Sequence, residues 1–141
     1  MTADPTPVLG AEETVLNEGG YSFVIRDDYA VITGYSGPGG TLDIPWSLGG
    51  VEVREIREES FAGNETLIVV NMPGSITKIG ARAFAGCTNL KTLTFKGTRP
   101  PFIADDVFPE IPTVYVPRVS LSRYESALED AIPNAVIKTF D

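Results

Sequence analysis

The carboxylate pairs Asp27/Asp28, Glu58/Glu59 and Asp105/Asp106, the single thiol of Cys87, and the glycines at 34, 37, 39 and 40 are the residues whose types and spacing could do chemistry. Paired carboxylates can serve acid–base catalysis or hold a hard cation. A thiolate is a nucleophile or a soft-metal ligand, and a glycine-rich loop can cradle phosphate. None of these constellations closes. Histidine, the commonest general base and metal ligand, is absent from all 141 residues. Adjacent acids suit solvated turns, and no Asp-x-Asp-x-Asp-Gly run supplies the converging oxygens of a calcium loop. No Lys-Ser or Lys-Thr follows the glycines. Cys87 has neither an activating histidine nor a second cysteine to pair with, and it sits in Ala85-Gly86-Cys87, so it reads as a buried structural thiol. The expectation is a protein that is not an enzyme and uses no metal or cofactor.

What must position the remaining residues is a repeat. Ile56, Phe61, Ala62, Gly63, Leu67 and Gly74 recur 23 residues later as Ile79, Phe84, Ala85, Gly86, Leu90 and Gly97. Val53, Val70 and Met72 are matched in kind by Ile76, Leu93 and Phe95. A fixed period of this length with apolar columns predicts a solenoid, in which each unit has an apolar side that only its neighbours can cover. Leu42/Ile44, Val70/Met72, Leu93/Phe95 and Val114/Val116 form apolar pairs two apart, which points them inward on short strands. The intervening Thr41/Asp43, Val69/Asn71, Thr92/Thr94 and Thr113/Tyr115 then face outward. Pro45, Pro73 and Pro117 end the strands they follow. Glu59–Gly63 and Arg82–Gly86 read as single helical or 3₁₀ turns stopped by glycine, with Phe61, Phe84 and Phe108 plugging the opposite wall.

The ends differ from the middle. Residues 1–19 read as a mobile acidic leader. They lack the basic and apolar regions of a signal peptide, and Met1–Pro5 suits equally a mature terminus after an added methionine or a cytoplasmic origin. Tyr21–Ile25 and Tyr29–Thr33 predict a β-hairpin around Arg26–Asp28. Ser122 and Glu125 have capping-box spacing, and Leu121, Tyr124, Leu128 and Ile132 share one helical face, so a capping helix is expected over 120–132, then a strand over 135–140. The expected organisation is a leader (1–19) and one domain: hairpin and loop (20–40), repeats (41–117) and C-terminal cap (118–141). This is a β-rich α+β solenoid, a short right-handed superhelix of about three to four coils.

The formal charge of −8 disfavours nucleic acid as a partner, and no apolar run reaches the roughly 18 residues of a membrane span. Residues 1–70 hold twelve acids and three bases, whereas residues 71–124 hold three acids and seven bases. This describes either drift along a solvated surface or a two-ended module that orients on its partner.

Laid out this way, the chain resembles the BspA-like, or treponemal-type, leucine-rich repeat family. Pro73, Ile76, Ile79, Gly80, Ala83, Phe84, Cys87, Leu90 and Leu93 match the family unit. Tyr115–Pro117, Ser120 and Tyr124 resemble its terminal element. The resemblance spans about residues 29–140. In the earlier repeat Arg57, Ser60 and Asn64 replace glycine, alanine and cysteine, and Trp46–Gly50 is an insert. The resemblance implies a leucine-rich-repeat fold in a secreted or cell-surface bacterial protein that binds host or bacterial macromolecules. It names no ligand, because the shared residues are scaffold.

Candidate partner-binding residues are Asn71, Thr92, Thr94, Thr113 and Tyr115 on the outward face, with Lys91 and Lys96 at its margin. Trp46 reads either as core filler at the first turn or as an exposed anchor. The functional expectation is an adhesion or protein-binding module, with homo-oligomerisation open. A structural spacer with an inert face is the alternative, since strand propensity alone also explains a threonine row.

Overall fold

The computed structural model describes residues 14–111 and 113–140. Two sheets enclose the core, and the chain passes between them coil by coil. One is a five-stranded parallel sheet in the order β12 (Val136–Phe140), β11 (Thr113–Pro117), β9 (Thr92–Phe95), β7 (Leu67–Met72) and β4 (Gly40–Asp43). The other runs β1 (Leu16–Glu18), β2 (Tyr21–Arg26), β3 (Tyr29–Tyr35), β6 (Val51–Ile56), β8 (Lys78–Ile79) and β10 (Phe102–Ile103), with β5 (Ser47–Leu48) paired to β6. The five-stranded sheet gives five coils rather than the expected three to four. The first is disguised by the Trp46–Gly50 insert, and in the last a helix replaces the second strand.

The insert is itself a hairpin. β5 and β6 pair antiparallel around Gly49-Gly50, the two-residue turn that suits strand twist. The second sheet escaped the sequence reading because β8 and β10 are two residues long, too short to show alternation. Its inward residues Ile32, Ile56, Ile79 and Ile103 are nonetheless aligned strand by strand. On the facing sheet Leu42, Val70, Leu93, Val114 and Ile137 stack in one inward column. The first four are almost fully buried and Ile137 partly so.

A third wall is made of turns. Phe61, Phe84 and Phe108 stack one coil apart, with ring centroids 4.8 Å and then 5.5 Å apart and planes 2° and 14° from parallel. The segments carrying Phe61 and Phe84 are not helical. Hydrogen bonds such as Ala62 N–H to Glu59 O and Ala85 N–H to Arg82 O close isolated turns. Left-handed residues on both sides, Glu59 and Gly63 in one coil and Arg82 and Gly86 in the next, prevent a helix from propagating. The turns also bond to each other: Phe61 N–H to Ala83 O and Gly63 N–H to Ala85 O in one step, and Phe84 N–H to Val107 O in the next. Cys87 is fully buried, its thiol donating to Phe61 O at 3.1 Å.

At the N-terminal end β2 and β3 form the expected hairpin, turning at Asp27-Asp28. The expected leader overran the fold: Leu16–Glu18 pairs with β2, and Glu18 Oε1 accepts from Gly49 N–H. The rest of that leader, residues 1–13, lies outside the described residues. At the other end, helix α1 covers Leu121–Leu128, shorter than expected, and the chain continues as turn to Pro133. Its N-cap is Ser120, not Ser122, and Ser120 makes no capping bond. Its hydroxyl donates to Thr98 O at 2.6 Å, across to the preceding coil, which outweighs a local cap. Tyr124, Leu128 and Ile132 bury the expected face.

Candidate functional site

The outer side of the five-stranded sheet carries two rows of side chains set by strand register. Thr41, Val69, Thr92, Thr113 and Val136 align in one row, and Asp43, Asn71, Thr94, Tyr115 and Lys138 in the other. Neighbours in a row stand about 4.8 Å apart, the spacing of paired strands. Each outward side chain alternates with one fixed in the core, so the rows are presented rigidly. Asn71 Nδ2 donates to Asp43 Oδ1 at 2.5 Å. Thr92, Thr94, Thr113 and Tyr115 have no side-chain hydrogen bond to another described residue, which leaves their polar atoms for solvent or a partner. The second row runs from a carboxylate at Asp43 to an ammonium at Lys138.

Lys91 and Lys96 flank the rows as expected and both are exposed. Lys91 N–H bonds to Ile68 O and Lys96 N–H to Met72 O, so each extends β9 by one residue. Lys91 also stands beside a depression of about 480 Å³ with Leu90, Pro109 and Ile111 as its apolar surface. Glu110 and Asn134, bonded to each other at 3.3 Å, contribute its polar side.

Trp46 does not join the rows. Its carbonyl accepts from Val53 N–H, which commits the residue to the turn into the β5–β6 hairpin. The side chain is 67% exposed, which overturns its reading as core filler. The sequence reading missed Val136 and Lys138 as members of the face. Their strand was legible, but helix α1 interrupts the 23-residue register, so nothing in the period said that β12 rejoins this sheet.

The acids that could do chemistry stay dispersed. Among the described residues no group of three or more His, Cys, Asp or Glu is set to hold a metal ion. Glu59 receives the Arg82 guanidinium at 3.2 Å, an exposed pair from one coil to the next. Burial raises the Cys87 pKa, the reverse of what a nucleophile needs. No described helix is long and apolar enough to cross a membrane.

Residues 50–113 match the family described as "BspA type Leucine rich repeat region (6 copies)". Residues 50–113 are leucine-rich repeats of the BspA type. The BspA-type frame explains the coil: its isoleucines lie just before or in the second sheet, its Ala-Phe in the turn wall, and its leucines at or in the five-stranded sheet. Solved structures agree on the fold. A leucine-rich repeat protein from Bacteroides capillosus superposes with a TM-score of 0.68 at 22% identity, over 90% of this chain and 99% of that one. A leucine rich cell surface protein from Faecalibacterium prausnitzii gives 0.54 at 26% identity, over 78% of this chain but 29% of its own length. A leucine-rich repeat protein from T. pallidum gives 0.54 at 19% identity, over 89% of this chain and 64% of that one. No curated protein matches the chain significantly.

Proposed function

We propose that this is a non-enzymatic protein-binding module of a secreted or cell-surface bacterial protein, and that it binds through the outer face of the five-stranded sheet. The observation that carries the reading is the pair of rigid outward rows, in which Tyr115 stands among threonine hydroxyls that the fold does not use. A rigid aromatic and short hydroxyl side chains lose little conformational entropy on binding. The adhesion role and the extracellular location rest on the BspA-type repeats and on the Faecalibacterium protein's description as a cell surface protein. With Lys91 and Lys96 at the margin, the face favours a partner with acidic groups.

The test is the double variant Tyr115→Ala/Thr92→Glu, both positions being only partly buried. A pull-down from a bacterial surface extract and from host matrix proteins supplies the partner, and its affinity is then measured for both forms. The expected result is a loss of about tenfold or more, about 1.4 kcal/mol, with wild-type affinity falling as salt rises. Unchanged affinity in a folded double variant would dismiss this face and move the site to the Trp46 insert; a pull-down that returns no partner would leave the spacer reading.

A further inference from the structure

The opposite sheet carries a second feature that folding does not explain. Outward on β3, β6, β8 and β10 the register aligns Val31, Glu55, Lys78 and Phe102. Phe102 points its ring away from the core and is 63% exposed. It sits on a two-residue strand preceded by Pro100-Pro101, which stiffen the chain leading into it. At the other end of the row Val31 pairs with Val24; both are at most 2% exposed, yet neither belongs to the central core. Their outward surfaces are therefore covered, and the accessible apolar surface at the other end is the Phe102 ring with partly exposed Ala104 near it.

The next residues along the strands are small. Gly80 and Ala104 lie two positions beyond Lys78 and Phe102 and leave a depression of about 380 Å³. Gly80 cannot be larger, because a Cβ there would come 2.5 Å from the Glu58 nitrogen of the preceding coil. The result is a hollow with charged walls, whose accessible apolar side is Ala104 and the Phe102 ring.

Its charge is opposite in sign to that of the molecule. Arg26, Arg57 and Lys78 line it against Glu55 and Glu58, within a chain of net charge −8. Glu55 accepts a hydrogen bond from Tyr29 Oη at 3.2 Å, which directs it toward β3 rather than toward Lys78. Lys78 is exposed and makes no hydrogen bond or ion pair with another described residue. An exposed aromatic ring beside an ammonium with no partner among the described residues fits an apolar side chain with a neighbouring carboxylate.

We infer that this hollow is a second docking site, which takes an acidic peptide segment bearing one aromatic side chain. The aromatic side chain seats on Ala104 against Phe102, and an adjacent carboxylate meets Lys78. The site lies on the other sheet from the proposed binding face and does not depend on that proposal.

The experiment is an amide-resolved NMR titration of the whole chain with the acetylated, amidated peptide Asp-Asp-Phe-Asp-Asp and with its asparagine counterpart Asn-Asn-Phe-Asn-Asn. The expected result is saturable shifts at Lys78, Gly80, Phe102 and Ala104 with the acidic peptide, and about tenfold weaker binding of the asparagine form. Lys78→Glu and Phe102→Ala change exposed side chains and so keep the fold. Each is expected to weaken binding about tenfold, whereas Tyr115→Ala leaves it unchanged. Shifts confined to the Thr94–Tyr115 region, equal binding by Lys78→Glu, or no saturable shift at millimolar peptide would each overturn the inference. So would concentration-dependent shifts at Phe102 without peptide, which would assign the hollow to a second copy of the chain.

Discussion

Phe84 shows how one side chain holds two coils. Its ring is stacked on both sides, by Phe61 and by Phe108, and it is 0% exposed. Truncation to alanine leaves a gap walled by neighbouring rings, and the inter-coil hydrogen bonds of the turn keep those rings from closing in. Phe84→Ala is expected to cost about 3–5 kcal/mol, read as a shift in the urea midpoint. A loss under about 1 kcal/mol would show that the ring is not a wall element. The residues that depart from the repeat frame also make sense one by one. Ser60 stands where the next coil has alanine, and its hydroxyl donates to Ile32 O at 3.0 Å and Arg57 O at 2.6 Å. Arg57 stands where the next coil has Gly80, and its amide meets β3 at Ile32 O. The first coil offers β3 and a loop there, not the close-packed turn that forbids a side chain at Gly80.

At the scale of the element, the coil was legible where alternation or a period was long enough to see. Strands β4, β7, β9 and β11 follow from their apolar pairs, and the buried face of α1 follows from Leu121, Tyr124, Leu128 and Ile132. Three things could not be read. The second sheet has strands of two residues. The turns after it mimic a helical segment in composition, and only the backbone angles of Glu59 and Arg82 show otherwise, φ 58° and 56°. The N-cap depends on where the Ser120 hydroxyl points, which is a tertiary fact. The outward orientation of the rows was legible on the middle strands and lost on β12 for want of register. The contact between coils also yields a prediction. Gly80→Ala places a methyl group 2.5 Å from the Glu58 nitrogen and 2.9 Å from the Arg57 carbonyl carbon. Backbone must move, so a loss of about 1–3 kcal/mol is expected in chemical denaturation. An unchanged midpoint would mean that neighbouring coils are less tightly seated than described.

For the molecule as a whole, the two ends are each closed by a buried tyrosine. Tyr21 lies in the N-terminal hairpin and Tyr124 in the C-terminal helix, where its hydroxyl donates to Gly97 O at 2.6 Å. Burial pushes the Tyr124 phenol up to about 12. Burial, with smaller contributions from Tyr35 and Asp43, raises Tyr21 as well. The sign follows from which state ionises first. The unfolded chain releases these protons near the ordinary value of about 10 while the folded chain holds them. Their contribution to stability is complete below pH 10 and is lost as pH rises toward 12. Urea midpoints measured from pH 8 to pH 11.5 should fall across the upper part of that range, and Tyr124→Phe should fall less steeply. A flat profile for the parent chain would contradict the burial of both phenols.

The coils match rung for rung, and this bears on how such a chain can change over generations. A duplication in the coding sequence that copies one 23-residue unit in frame would add a strand to each sheet and a ring to the phenylalanine stack. The new unit would meet its neighbours through surfaces that already exist, leaving the Tyr21 and Tyr124 ends untouched. Length could grow in steps of about 4.8 Å without inventing an interface. Each step would also add another outward pair to the exposed rows. Slippage at the gene is therefore a direct route to a longer surface for whatever the molecule touches.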